Sequence, residues 1–236
     1  VMGHEGANFS AGANLNLFLD LSQDNQWDTL DFAVKTFQNM TQRIRFSKGP
    51  VVAAPFQLTL GGGTEIIQPA AHRVASAETY MGFVEMGVGL IPGGGGNLRM
   101  ILNAMDENKG AMGAFQKIQK AFETIGFAKV ATGAYEAKDL GLLKQDDTII
   151  MNRDYLIQAA KDKALELVNG YSPPKYNDSL KLPGAGGRTA MAMALKSFKL
   201  QGKISDHDVK IGEKLAYVLT GGDQAGLTKK VDEQYI

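Results

Sequence analysis

Leu60-Gly61-Gly62-Gly63-Thr64-Glu65 is the stretch on which the fold turns, because a short apolar run, Val51-Val52-Ala53-Ala54, leads towards it and a helical pattern from Thr64 to Ala71 follows it. A strand that ends in glycines and passes at once into a helix is an α/β signal, since glycine accepts the turn's backbone angles without a Cβ penalty. The same alternation continues downstream. Val74-Ala75 reads as another short strand, and Glu78 to Gly82 leads to a second glycine loop, Gly89-Leu90-Ile91-Pro92-Gly93-Gly94-Gly95-Gly96.

Working outward, Trp27, Leu30, Val34, Phe37 and Ile44 recur at three- and four-residue steps. They predict one face of a helix ending near Phe46, stopped by Gly49-Pro50. From Asn97 the reading is mostly helical, over Lys109 to Thr124, Ala137 to Leu143 and Asp154 to Val168. Leu182 to Gly187 reads as a mobile connector. Thr189 to Leu200 and Ser205 to Leu219 form a last helical pair, whose second member starts with Asp206 and Asp208, acids suited to a helix N-terminus. The expected organisation is a core over residues 1–145 and a C-terminal helical region over 146–236.

A chain of 236 residues can bury a sizeable core. Its 25 Lys and Arg balance 25 Asp and Glu, so no net field steers it to nucleic acid or an anionic membrane. It has no cysteine, hence no disulfide framework and no thiolate chemistry. With no long apolar run, this favours a cytoplasmic protein without a membrane span. The start, Val1-Met2-Gly3, reads as the tail of a buried strand, so preceding residues are expected to be missing from this sequence.

The glycine runs invite a nucleotide-binding reading, which fails. The dinucleotide fingerprint needs glycine three residues beyond Gly63, where Ile66 stands, and no Gly-Lys-Ser/Thr ending exists for a phosphate loop. Gly93 to Gly96 is read first as close backbone packing and second as an anion site at a helix start. Glu65 and Glu85 carry more information. Alone, each is a solvated surface carboxylate. Two of them beside glycine turns suggest a base and an acid handling a water or a proton, with backbone N–H groups nearby for an anionic oxygen.

Five segments in order carry a resemblance: Phe9-Ser10-Ala11-Gly12-Ala13-Asn14, Pro50 to Ala54, Leu60 to Glu65, Gly82-Phe83-Val84-Glu85, and Gly89 to Gly96. Together they resemble the crotonase superfamily, and within it the enoyl-CoA hydratases. The match runs without a gap from Thr64 to Arg99 and more loosely from Asn8 to Leu143. It implies an α/β fold of the ClpP/crotonase kind, a spiral of ββα units with a C-terminal helical region, here without its first strands. It also implies an oxyanion hole made by the N–H groups of Ala13 and Gly62, with Ala11, Gly12, Gly61 and Gly93 lining the substrate.

By the same resemblance, Glu65 is the base that activates water towards C3 of a trans-2-enoyl thioester and Glu85 the acid that protonates C2. The family's spacing of twenty positions is kept. The implied substrate is an acyl-CoA thioester, with no metal or redox cofactor, and the implied assembly is a trimer or a hexamer. Ala75 to Glu78 and Lys214 to Asp223 resemble the hydratase portion of bacterial multifunctional 3-hydroxyacyl-CoA dehydrogenases, which implies an upstream NAD-binding dehydrogenase portion. The alternatives are an enoyl-CoA isomerase, which needs one glutamate, and a silent acyl-CoA-binding paralogue.

Some positions depart from the family's pattern: Asn14 for Asp, Asn16 for a common Lys, Pro55-Phe56-Gln57 for an Asn-Gly turn, Ala71 for Asp and Val84 for Pro. They point to a subfamily with altered adenosine contacts. Arg188, Lys196, Lys199 and Lys203 on the late helices read as a solvated face or as a clamp for the CoA 3′-phosphate. His4, His72 and His207 are scattered and read as structural or surface residues.

Overall fold

The computed structural model describes residues 1–106, 113–226 and 229–236. They fall into two compact units: Val1–Gly82 with Pro92–Gly96 and Val130–Pro174, and Phe83–Ile91 with Asn97–Lys129 and Lys175–Ile236.

In the first unit, strands β1 (Val52–Ala53), β3 (His72–Ser76) and β5 (Thr148–Ile150) form one parallel sheet in the order β1-β3-β5, while β2 (Gln57–Leu60) and β4 (Thr79–Gly82) form a second. Consecutive strands therefore go to alternate sheets. Each finds its partner one repeat later, Val52 opposite His72 and Leu60 opposite Gly82. The N-terminal segment supplies traces of an earlier repeat, since Met2 bridges Ala53 and Ser10 bridges Thr59, both in parallel. This is the expected spiral of ββα units. Helix α3 (Gly62–Ile67) connects β2 to β3.

Parallel strands covered on both faces read as continuous apolar runs, and β3 is buried at all five positions. Val52, Ala54, Phe56 and Val74 pack with Leu156 and Ala160 of α7 (Leu156–Val168). Within β3, Arg73 is a buried cation. Its Nε donates to Asp147 Oδ2 at 2.8 Å, its Nη1 to the carbonyls of Gln68 and Ala70, and its backbone N–H to Asp147 Oδ1. Strand β5 lies in a region whose sequence reads as helical. Three residues are too few to display a period of two, so pairing with β3 decides it.

Helix α1 (Leu15–Gln23) is capped by the Asn14 side chain, which accepts from the Asn16 N–H at 3.1 Å. Helix α2 (Trp27–Arg45) turns Leu30, Val34, Phe37 and Ile44 partly inward, as its spacing predicts; it also buries Thr41 and Arg45, which were not in the predicted stripe, and leaves Trp27 exposed. The histidines have local roles. The His4 ring packs on Phe9 and Phe56, and His72 Nε2 lies 3.0 Å from Thr148 Oγ1.

The second unit is built mainly from helices α4 (Gly96–Asp106, Asn97 onward), α5 (Ala114–Gly126), α8 (Gly184–Leu200) and α9 (Asp206–Leu219); α6 (Ala134–Asp139) belongs to the first. The start expected for α5 at Lys109 lies outside the described residues. Ser205 and Asp208 form a reciprocal capping box at α9. Residues 184–187, read as a connector, are instead the first turn of α8. Their glycines serve packing: a Cβ on Gly187 would lie 2.4 Å from Pro183 Cβ. Gly212 likewise admits Leu195, whose Cδ2 would be 2.8 Å from an added Cβ. Met191, Leu195, Ile211 and Leu215 are thereby buried. No described helix is long and apolar enough to cross a membrane.

Candidate active site

Strand β2 ends at Leu60, and the chain must reverse into α3 within one residue. Gly61 does this at φ 53 and ψ −122, backbone angles that a side chain would strain, while its N–H donates to the Gly82 carbonyl at 2.9 Å. Gly63 is bare for a steric reason, since a Cβ there would lie 2.5 Å from Ser10 Cβ. Gly62 is the first residue of α3, so its N–H has no acceptor within the helix.

The loop that carries Ala11, Gly12 and Ala13 runs beside this turn. Ser10 exchanges backbone hydrogen bonds with β2, its N–H donating to Leu58 O and its carbonyl accepting from the Leu60 N–H, both at 2.9 Å. Gly12, at φ 97, approaches the Leu60 carbonyl so closely that an added Cβ would be 3.3 Å away. The first unit therefore brings the Ser10–Gly12 loop and the Gly61–Gly63 turn together, with Ala13 exposed just beyond Gly12.

Glu65 projects from the first turn of α3 and is 3% exposed. Its Oε1 accepts from the N–H of Gly94 at 2.7 Å and of Gly96 at 2.8 Å. Its Oε2 accepts no hydrogen bond among the described residues. Burial raises the carboxyl's pKa above its ordinary value, and the two amide donors pull the other way without cancelling it.

Three glycines of the second loop have separate tasks. An added Cβ on Gly94 would sit 2.1 Å from Phe37 Cε1 and 2.8 Å from Glu65 Oε2, Gly95 takes φ 108, and Gly96 donates. Helix α2 secures the loop, with Gln38 Nε2 donating to the Gly93 carbonyl at 2.8 Å and Thr41 Oγ1 to the Gly94 carbonyl at 2.7 Å. The anion that this loop holds is thus the protein's own Glu65. Close packing, the first reading of the run, accounts only for Gly94.

Gly94→Ala is expected to destabilise the fold by about 1–3 kcal/mol through overpacking and to dislodge the carboxylate. Thermal melts and turnover check this, with partial recovery of both in Gly94→Ala/Phe37→Ala. A Gly94→Ala protein as stable and active as the parent would mean that the loop has room to spare.

Glu85 belongs to the second unit, where it opens a 3₁₀ turn over Glu85–Val88 and is half-buried. Its carbonyl accepts from the Leu90 N–H at 3.0 Å, and Gly89 closes the turn at φ 80 beside His207, whose Nε2 lies 3.4 Å from the Gly89 carbonyl. Sequence reasoning named both glutamates but did not place Phe37, Gln38 and Thr41 of α2 beside the glycine loop. The inward stripe of that helix was visible; what it packs against was not.

A family profile described as enoyl-CoA hydratase/isomerase matches residues 1–180. A probable 3-hydroxyacyl-CoA dehydrogenase of Bacillus subtilis (strain 168) is 45% identical over 237 residues, which cover 100% of this chain and 29% of that protein. A probable enoyl-CoA hydratase of the same organism is 29% identical over 189 residues, 75% of this chain and 67% of the relative. The crystal structure of an enoyl-CoA hydratase from Polaromonas sp. JS666 aligns with a TM-score of 0.56 at 19% identity, covering 92% of this chain and 71% of that one, a likeness of fold. The chain spans less than a third of the dehydrogenase relative's length.

Proposed function

The chain belongs to the enoyl-CoA hydratase/isomerase family, and from that premise we propose that it adds water across the double bond of a trans-2-enoyl-CoA to give a 3-hydroxyacyl-CoA, a step of fatty-acid β-oxidation. The observation that carries this reading is the state of Glu65. One oxygen is pinned by two backbone amides and the other is left to take a proton. Pinning fixes the direction of the free oxygen, and burial makes the carboxylate a stronger base than one in water.

In this reading Glu65 removes a proton from water as its oxygen bonds to C3, and Glu85 returns a proton to C2. The N–H groups of Ala13 and Gly62 stabilise the negative charge that develops on the thioester oxygen, each donor contributing on the order of 3 kcal/mol to lowering the barrier. No redox step is assigned to the chain. The 3-hydroxyacyl product is what a dehydrogenase such as the longer B. subtilis relative is named for.

The test is a crotonyl-CoA assay that follows loss of enoyl absorbance. Hydration is expected, with kcat/KM falling at acid pH. The sign follows from the role: a base works deprotonated, so activity is present above its pKa and lost below it. Because that pKa is raised, the acid limb is expected above pH 4.5, the ordinary value for glutamate. Conversion of a 3-enoyl-CoA to its 2-enoyl isomer without hydration would favour the isomerase reading.

A further inference from the structure

Four cations gather where α8 and α9 face each other within the second unit. Arg188 and Lys196 on α8, with Lys210 and Lys214 on α9, line a groove of about 540 Å³ that also contains Ala192, Met193, Glu213, Ala216 and Tyr217. Glu213 in the lining and Asp223 beside Arg188 set two carboxylates against four cations, which leaves an excess of two positive charges in a chain whose net charge is zero. Lys196, Lys210 and Lys214 make no ion pair among the described residues. Two basic residues close by are engaged elsewhere: Lys199, near the end of α8, pairs with Asp206, and the ammonium of Lys203, in the turn before α9, lies 5.8 Å from the centre of the Phe198 ring.

Arg188 is held in place. Its guanidinium lies 5.2 Å from the centre of the Tyr217 ring, and its Nη1 is 3.5 Å from Asp223 Oδ1. Tyr217 in turn donates its hydroxyl to Asp223 Oδ2 at 3.0 Å and lies 3.1 Å from the Tyr235 hydroxyl. A C-terminal segment thus braces one end of the groove, with Val231 and Leu180 paired through two backbone hydrogen bonds. Unpaired like charges on two neighbouring helices repel one another, and a polyanion would relieve that repulsion. The lining is not all charged, because Ala192, Met193 and Ala216 offer small or polarisable apolar surface on which a flat ring can lie. The volume falls in the range of small-ligand sites, about 300–1,000 Å³.

We propose that the α8–α9 groove binds a nucleoside bearing two or more phosphates, with the phosphates on Arg188, Lys196, Lys210 and Lys214 and the base against Ala192, Met193 and Ala216. That chemistry has two sources, a free nucleotide such as ATP or the adenosine end of CoA. Isothermal titration calorimetry of the chain with ATP, with CoA and with inorganic pyrophosphate separates them, and because it reads binding rather than turnover it stands whether or not the chain hydrates enoyl thioesters. ATP, CoA or both are expected to bind more tightly than pyrophosphate. Lys196→Gln/Lys210→Gln/Lys214→Gln, which alters only exposed side chains, is expected to weaken that binding at least about tenfold through lost charge-assisted hydrogen bonds. Lys199→Gln/Lys203→Gln, at the end of α8 and in the turn that follows it, outside the groove, is expected to leave it unchanged. Binding of CoA alone identifies CoA as the source, and binding of ATP as well identifies nucleotides in general. Three results would overturn the proposal: no binding of any probe, a triple variant that binds like the parent, or pyrophosphate binding as tightly as ATP and CoA.

Discussion

Glu65→Gln is expected to lower hydration turnover by at least about a hundredfold while leaving acyl-CoA binding nearly unchanged, the loss typical of a general base. The substitution keeps the shape of the side chain and leaves an oxygen to accept from Gly94 and Gly96. It removes only the ability to take a proton. A loss of kcat with little change in ligand affinity is therefore the expected split, and turnover near that of the parent would refute the assignment of Glu65 as base.

The same variant is expected to be no less stable than the parent, which separates a catalytic role from a structural one. The native carboxyl has a raised pKa, so the folded state favours its protonated form. That contribution to stability is fully present below the unfolded value and is lost as pH rises through the folded one. A neutral glutamine escapes the loss. The melting temperature of Glu65→Gln relative to the parent should therefore rise as pH increases through the raised pKa, and a difference constant with pH would contradict the burial argument.

Asp147→Ala is expected to cost about 3–5 kcal/mol of folding free energy, the usual penalty for removing one partner of a buried ion pair. Arg73 and Asp147 side chains are each 1% exposed and 2.7 Å apart. Asp147 also accepts from two backbone groups, the Arg73 and Lys144 N–H. Its loss strands a buried guanidinium and frees the approach to β5. Urea denaturation measures the effect, with Asp31→Ala as control: its partner Lys35 is just as near, at 2.7 Å, but the pair is 60% and 67% exposed, so water screens it and little change is expected. Equal stability of Asp147→Ala and the parent would show that the pair contributes nothing net.

Much of the architecture was legible because its signals are local. Glycines before Thr64 marked a strand-to-helix turn, and the inward stripe on α2 followed from three- and four-residue spacing. Where the reading failed, the deciding contact was distant. Residues 184–187 have the composition of a loop, yet they wind into α8 because Pro183 and Phe115 close on Gly187. The three residues of β5 take their state from β3, seventy-odd positions earlier, since they are too few to set a pattern of their own.

The candidate site divides along the same line. By itself the sequence determined which groups are present: two glutamates at the family's spacing, glycine at each position where bare backbone is needed, and no cysteine. Residue identity and short-range turn chemistry suffice for that. Only the tertiary structure decided what the second glycine run does, because its ligand is Glu65, 29 and 31 residues away along the chain. A backbone N–H carries no mark of its acceptor in the sequence, and the acceptor's burial, which raises its pKa, exists only once the strands and α2 have enclosed it.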